Sequence, residues 1–143
     1  MVFKSRLSVQ PTEEYGQMPK ASKTTAGRAA SGPGYEGRFD ELGDHTVAFE
    51  QFSGGGDMAP LFSGLPHDRC QCPHWGVVVQ GRLTFTYADG QEVVEAGEAY
   101  YAPPGHTPAA DPGTETIEFS PTEELHKTMA VVMKNAQALS AKV

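Results

Sequence analysis

The strongest constraint on the fold is a stretch of alternating residues that runs into a tight-turn dipeptide. Arg82–Tyr87 (RLTFTY) alternates apolar and polar residues, so every second side chain lies on the same face of an extended strand. Asp89-Gly90 follows and supplies the positive φ angles that two-residue hairpin turns require. Glu92–Glu95 then returns as the partner strand. The sequence therefore predicts a β-hairpin over this stretch.

Other short segments have the same character and are separated by glycine- and proline-rich breaks. They are Thr46–Phe52, Gly76–Gln80, Ala99–Ala102 and Glu115–Phe119. Sixteen glycines and eleven prolines make up about 19% of the 143 residues, against roughly 12% in an average protein. Short strands at this spacing predict a mostly β fold, either a sandwich or a small barrel.

The two ends of the chain differ from this central part. Residues 1–45 are rich in small and polar residues, and we expect an arm that is partly extended or flexible and has no core of its own. Residues 46–121 form the barrel, and residues 122–143 form a helix of the same domain. Thr122 is expected to cap this helix, ahead of acidic residues in its first turn. One apolar stripe follows at helical spacing and predicts packing on the barrel or on a partner subunit: Leu125, Met129, Val132, Ala136 and Leu139.

Charge and hydropathy exclude several functions. The net charge is −7; residues 1–38 hold six basic and three acidic residues, whereas the rest holds five basic against fifteen acidic. An acidic body repels a phosphate backbone, so we expect no nucleic-acid partner. Because no apolar run is long enough to cross a bilayer and no secretory signal is evident, we expect a cytoplasmic protein without membrane contact.

The two cysteines of the chain are separated by a single residue. A disulfide between Cys70 and Cys72 would close a strained ring and remove almost no loop entropy. They are therefore interpreted as free thiols or as metal ligands, and either interpretation agrees with a reducing compartment.

Two glycine-containing motifs on either side of the hairpin resemble those of the cupin superfamily. The first is the strand and glycine turn of Gly76–Leu83 (GVVVQGRL), and the second is Gly97–Gly105 (GEAYYAPPG), which fits the pattern G-(x)5-P-x-G. The resemblance covers residues 64–120 and implies a single jelly-roll β-barrel. It also implies a homodimer, with the arm or the terminal helix across its interface.

The metal ligands that the resemblance implies are missing from their usual positions. The family's site has the form H-x-H, then a glutamate, then a histidine after the second motif. Counted from the glycines, the H-x-H positions hold Asp68 and Cys70, the glutamate position holds Trp75, and the last position holds Pro108. The standard set of three histidines and one glutamate is therefore not expected here.

A displaced group of residues can still bind a metal ion. Cys70, Cys72 and His74 share one face if the segment is extended, although Pro73 can introduce a bulge that changes this. His106 directly follows the second motif. Thiolates and imidazoles suit Zn²⁺ best, and iron or copper are alternatives. A metal-free pocket, with the histidine and the cysteines buried as packing residues, remains open at this point.

The remaining candidates are side chains for the barrel interior. Trp75, Phe85 and Tyr87, together with Tyr100 or Tyr101, are aromatic residues that can contact a substrate, although aromatic residues also fill barrels without any ligand. Five glutamates are expected to be surface charges: Glu50, Glu95, Glu118, Glu123 and Glu124.

Two functions follow from these residues. The first is a small cupin that binds one divalent metal ion and a small organic ligand, with isomerase, cyclase, hydrolase or oxygenase chemistry. The second is a metal-free, redox-sensing or metal-sensing barrel without catalysis.

Overall fold

The structure, a computed structural model, describes residues 18–141, so expectations for residues 1–17 and 142–143 lie outside it. The described chain contains ten strands and one α-helix, α1 (Thr122–Ser140). The strands are β1 Arg28–Gly32, β2 Tyr35–Leu42, β3 His45–Phe52, β4 Gly56–Asp57, β5 His74–Gln80, β6 Arg82–Tyr87, β7 Gly90–Glu95, β8 Ala99–Ala102, β9 Thr107–Ala110 and β10 Thr114–Pro121. Two short 3-10 turns, Ala59–Phe62 and Pro66–Asp68, lie between β4 and β5.

The strands form two antiparallel sheets whose inner faces share one core. The larger sheet has the order β1-β2-β3-β10-β5-β8, and the smaller sheet has the order β4-β9-β6-β7. The core takes Phe52 and Val78 from the larger sheet and Leu83, Phe85 and Val94 from the smaller one. This two-sheet arrangement with one terminal helix confirms the predicted mostly β, jelly-roll-type fold.

The hairpin predicted from the alternating segment is present at the expected position. β6 pairs with β7 in the register Leu83↔Val94 and Tyr87↔Gly90, which leaves a two-residue turn. Leu83 and Phe85 are buried, as their alternation predicted. Local sequence therefore sets both the register and the buried face of this pair.

Two strands lie within the segment that was interpreted as an arm. β2 pairs with β3 from Glu36 to Leu42, and β1 extends the larger sheet at its edge. The apolar pattern of β2 is weak, because Gly37 occupies an inward position beside Tyr35. The division into arm, barrel and helix stays a prediction, and residues 28–42 of the arm belong to the sheet.

Helix α1 packs on its own chain but begins differently from the prediction. Pro121 is the residue before the helix and no side chain caps it, so the capping role predicted for Thr122 is wrong. The hydroxyl of Thr122 instead lies 2.8 Å from that of Thr46. Leu125 and Val132, from the predicted apolar stripe, pack on a cluster that contains both cysteines. Within residues 18–141, no helix is long and apolar enough to cross a membrane.

Candidate metal centre

Three buried side chains from different parts of the chain meet inside the barrel. The potential ligand atoms of Cys70, His74 and His106 all lie within 4.8 Å of one another. Cys70 Sγ is 3.5 Å from His74 Nε2, and the two imidazole ring centroids are 5.2 Å apart. Of the four metal-ligand candidates from the sequence, the structure brings these three together. We call them the Cys-His-His group.

Backbone hydrogen bonds fix Cys70 against His106. The Cys70 amide donates to the His106 carbonyl over 2.8 Å, and the Gly105 amide donates to the Cys70 carbonyl over 2.7 Å. Gly105 has a φ of +100°, which its lack of a Cβ allows. The Pro103-Pro104-Gly105 turn therefore delivers His106 to the position that Cys70 reaches from the other segment.

His74 is oriented by residues of β10. It is the first residue of β5 and faces inward, where its Nδ1 lies 2.7 Å from Ser120 Oγ and 3.6 Å from Glu118 Oε2. Burial lowers the pKa of His74 to about 4, so the ring is neutral near pH 7 and forms no ion pair with the carboxyl group. A proton on Nδ1 can be donated to the Ser120 hydroxyl and is attracted by the Glu118 carboxyl group. Nε2 is then unprotonated, and its lone pair points toward Cys70.

His106 has the same tautomer for a different reason. Its Nδ1 lies 2.8 Å from the carbonyl oxygen of Pro103, which can only accept, so Nδ1 carries the proton. The hydroxyl of Tyr87 donates to the same carbonyl over 2.9 Å. Burial lowers the pKa of His106 to about 4, partly offset by the bond to Pro103. Both imidazoles are therefore neutral and have a free Nε2, which is the form that binds metals.

The geometry of the Cys-His-His group fits a metal ion. In tetrahedral zinc coordination, with bonds of about 2.3 Å to sulfur and 2.0–2.1 Å to nitrogen, these two atoms are separated by about 3.6 Å. The distance from Cys70 Sγ to His74 Nε2 is 3.5 Å. Burial raises the pKa of the Cys70 thiol to about 11, so a metal ion has to displace its proton.

Cys72, the fourth candidate, lies outside this group. Its side chain is fully buried beside Phe62, and its Sγ donates to the carbonyl of Pro73 over 3.4 Å. Burial raises the pKa of its thiol to about 12. β5 begins only at His74, so the segment before it is not an extended strand and the alternation that grouped Cys72 with Cys70 does not apply.

The aromatic candidates divide between the inside and the outside of the barrel. Phe85 is buried with its ring centroid 5.2 Å from that of His106, and Tyr87 lies beside the same imidazole. Trp75 and Tyr101 form a stacked pair on the outer face, with 43% and 55% of their surface exposed. The expectation that these two line the interior is wrong, because an inward His74 turns the next residue outward.

Two glutamates that were expected on the surface are half-buried and directed into the barrel instead. Glu50 on β3 accepts a 2.5 Å hydrogen bond from the hydroxyl of Tyr35. Glu118 on β10 accepts a 2.7 Å hydrogen bond from the hydroxyl of Tyr100. A Cβ at Gly76 would lie 2.5 Å from the Tyr100 hydroxyl, and one at Gly37 would overlap that of Tyr35. Glycine at both positions therefore makes room for the two tyrosine–glutamate pairs.

Burial dominates the electrostatics of these pairs. It raises the pKa of Glu118 to about 7. It also raises the pKa of Glu50 to about 7, and repulsion from the charge of Glu118 contributes to this shift. Burial also raises the pKa values of Tyr35 and Tyr100, so both phenols stay protonated and act as donors. The sequence did not reveal these two buried carboxyl groups, because a glutamate in an alternating strand resembles a surface residue.

A cleft of about 220 Å³ lies apart from the Cys-His-His group, and Glu50 is among the residues that line it. It is on the outer side of the larger sheet, where Lys23 and Thr24 cross over Phe49, Val79 and Ile117. No residue of the Cys-His-His group lines it. We assign the candidate site to the barrel interior because the donor atoms converge there.

Comparison with solved structures finds proteins of similar fold. A protein of unknown function from Rhizobium leguminosarum is 18% identical, with a TM-score of 0.53 over 73% of this chain and 97% of that one. The S161A mutant of Bacillus subtilis oxalate decarboxylase is 16% identical, with a TM-score of 0.52 over 76% of this chain and 31% of that one. A cupin from Shewanella frigidimarina described as RmlC-like is 17% identical, with a TM-score of 0.49 over 71% of this chain and 88% of that one.

The two likenesses with TM-scores above 0.5 establish the fold and no more. The oxalate decarboxylase is a cupin-fold protein, and this chain has the cupin fold, which confirms the resemblance seen in the sequence. No protein-family model and no curated protein matches the sequence. The function therefore has to be argued from the side chains that the barrel holds.

Proposed function

We propose that this protein is a small metal-binding cupin that holds one divalent metal ion through Cys70, His74 and His106. The convergence of these three donor atoms within 4.8 Å carries the proposal. Two imidazoles with free Nε2 atoms and one thiol match the borderline-soft ligands that Zn²⁺ prefers, and iron or copper are the alternatives. Three protein ligands leave a coordination position for water or substrate.

A bound metal ion would act as a Lewis acid toward a small organic ligand, as in an isomerase, cyclase, hydrolase or oxygenase. The protein's own residues prepare the site for this. Ser120 and the Pro103 carbonyl hold the two imidazoles in one tautomer, and Phe85 covers the His106 ring with an apolar surface. Glu118 lies beside His74 with a pKa of about 7, a value suited to accepting or releasing a proton near neutral pH.

The organic ligand is proposed to occupy the barrel interior beside Glu50 and Glu118. Two carboxyl groups that are costly to bury, each with a tyrosine partner, line the inner face of the larger sheet. Phe85 and Tyr87 are the aromatic candidates on this side of the molecule. Trp75 and Tyr101 are assigned no part in binding this ligand because they lie on the outer face.

The alternative of a redox sensor receives less support. Sensor cysteines are exposed and have low pKa values, whereas Cys70 and Cys72 are buried and burial raises both pKa values. A metal-free ligand-binding barrel is the outcome that would replace the present proposal.

We also propose a cytoplasmic homodimer. Free cysteines suit a reducing compartment. Trp75, Tyr101 and Phe119 are large apolar side chains exposed on the outer face of the larger sheet, and neighbouring strands pair Trp75 with each of the other two. An apolar patch of this kind suits a subunit contact. Sedimentation at several protein concentrations tests the dimer.

The metal content of untagged protein, purified without chelators, tests the main proposal. About one equivalent of zinc, iron or copper per chain is expected. His74→Ala and His106→Ala should each lower it, while His126→Ala, which removes an exposed histidine of α1, should leave it unchanged. Wild-type protein that holds no metal, and takes none up after its thiols are reduced, would contradict the proposal.

A further inference from the structure

Within residues 18–141, two side chains of opposite charge line the outer cleft of the larger sheet without forming an ion pair. The floor of this cleft is apolar and consists of Phe49, Val79 and Ile117, and the chain crosses above it at Lys23 and Thr24. At about 220 Å³ the cleft is smaller than the sites of drug-sized ligands, so an occupant has to be small. The charges beside the floor decide which small molecule fits.

Arg38 supplies the positive charge. Its Nη1 donates to the carbonyl oxygen of Ala26 over 3.2 Å, and Ala26 is buried, so the half-buried side chain is held against the crossing segment. A guanidinium group has five N–H donors in a planar fork, and a carboxylate matches the geometry of this fork. Because no carboxylate of the described chain pairs with Arg38, its remaining donors can bind a ligand.

Glu36 supplies the negative charge on the same strand. It lies two residues before Arg38 in β2, so both side chains leave the outer face of the sheet, from Cα atoms about 7 Å apart. It is exposed, and no lysine or arginine of residues 18–141 pairs with it. A carboxylate and a guanidinium group at this spacing can bind the two charged groups of a zwitterion, whereas Glu36 would repel a simple anion.

The other polar groups of the cleft already have partners. Lys23 Nζ lies 3.4 Å from Glu115 Oε1, and the Gln51 side chain donates to the same oxygen over 2.6 Å. The carboxyl group of Glu50 accepts the hydrogen bond from Tyr35. These contacts leave the two charges on β2 for a ligand.

The register of the sheet places the apolar floor next to these charges. Arg38 pairs with Phe49 of β3, and Phe49 pairs with Ile117 of β10. A molecule that binds Arg38 therefore extends its apolar part over Phe49 and Ile117.

We propose that this cleft binds a small α-amino acid with an apolar side chain. Arg38 binds the carboxylate, Glu36 binds the ammonium group, and the apolar side chain lies on the floor, where its removal from water contributes to affinity. This site is separate from the proposed metal centre, since no residue of the Cys-His-His group lines it.

Two residue types that occur once in the chain allow a direct test by NMR. Ile117 is the only isoleucine and Trp75 is the only tryptophan. In protein labelled at the isoleucine δ1 methyl group, L-leucine should shift the Ile117 signal to saturation, with a dissociation constant of about 1 mM or lower. The indole signal of Trp75, which lies at the proposed dimer contact, should keep its position. Isocaproate lacks the ammonium group and isopentylamine lacks the carboxylate, so each should bind several-fold more weakly than leucine.

Variants of the two charged residues test their separate roles. Arg38→Gln should weaken leucine binding about tenfold or more, and Glu36→Gln about threefold, because water screens the more exposed charge better. Arg28→Gln and Glu41→Gln are the matched controls. These two residues of β1 and β2 form an ion pair of 3.7 Å outside the cleft, and their replacement should leave leucine binding unchanged.

An Ile117 signal that leucine does not move would overturn the proposal, whether a second copy of the chain or only solvent occupies the cleft. Isocaproate that binds as tightly as leucine would also overturn it, because the ammonium group would then have no part in recognition. A shift of the Trp75 signal without one of Ile117 would place the amino acid on the aromatic patch instead. All three comparisons use wild-type protein, so they remain decisive even if Arg38→Gln does not fold.

Discussion

Replacing Glu50 with glutamine should make the metal-free protein respond differently to pH. The pKa of Glu50 is raised from its ordinary value of 4.5 to about 7 in the folded protein, chiefly by burial and then by the charge of Glu118. A raised pKa means that the folded state binds the proton more tightly than the unfolded state. The stability from this group is therefore complete below about pH 4.5 and is lost as pH rises through 7.

The size of the effect follows from the same shift. A difference of one pKa unit corresponds to about 1.4 kcal/mol, so ionising Glu50 costs the folded state up to about 3 kcal/mol above pH 7. Glutamine keeps the shape and accepts the Tyr35 hydrogen bond but does not ionise. Between pH 5 and pH 8, the free energy of unfolding of Glu50→Gln should therefore rise by up to about 3 kcal/mol relative to wild type.

Urea unfolding in the presence of a chelator, at pH 5, 6, 7 and 8, measures this difference. The contributions of distant titrating groups largely cancel in the comparison, whereas the contribution of Glu118 changes, because its charge interacts with that of Glu50. Glu95→Gln, which removes an exposed carboxylate from β7, controls for the change in net charge. A constant difference between Glu50→Gln and wild type over this pH range would refute the assignment of Glu50 as a buried, proton-binding carboxyl group.

Three further outcomes are expected. Cys70→Ser should abolish metal binding and Cys72→Ser should retain it, as measured by metal analysis of the two matched proteins; the reverse result would move the ligand to Cys72. Gly76→Ala should destabilise the protein by roughly 1–3 kcal/mol, because the new Cβ would lie 2.5 Å from the Tyr100 hydroxyl, whereas a Cβ at Gly27 meets nothing within 4 Å, so Gly27→Ala serves as the control in urea unfolding. Val78→Ala should cost about 2 kcal/mol because Val78 is fully buried, and a loss below about 0.5 kcal/mol, as on the surface, would contradict its place in the core.

The fold was predictable because its signals are local. The alternation of Arg82–Tyr87 and the turn that follows it specify a hairpin whatever the rest of the chain does, and the two glycine motifs fix the spacing of the strands around it. The turn residues are Ala88 and Asp89, one position earlier than predicted, and Gly90, which has the positive φ, begins β7. β1 and β2 were missed although each pairs with the next strand along the chain, because their own apolar pattern is weak and their inward positions hold residues such as Gly37. Such strands are defined by the sheet they join rather than by their own pattern.

The candidate metal site was only partly predictable, because it depends on where one strand begins. Cys70 and His74 are separated by a non-strand segment, so a rule based on alternation grouped Cys72 with them wrongly. Glu50 and Glu118 show a second limit. A glutamate in an alternating strand resembles a surface residue, and only the three-dimensional position of Tyr35 or Tyr100 shows that it lies inside.

The amide of Asn135 ties the first 3-10 turn before β5, Ala59–Phe62, and the residue after it to helix α1. Its Nδ2 donates to the carbonyl oxygens of Leu61 and Ser63, both over 2.8 Å. Asn135 lies past the middle of the helix. Opening the last turn of α1 therefore need not disturb residues 59–63. Opening the helix past Asn135 releases these residues together with the segment that leads to Cys70. Helix and loop then form one unit of local unfolding, with similar protection of their amides from hydrogen exchange. Access to the barrel interior beside α1 would then depend on local unfolding of the helix rather than on the motion of a loop alone.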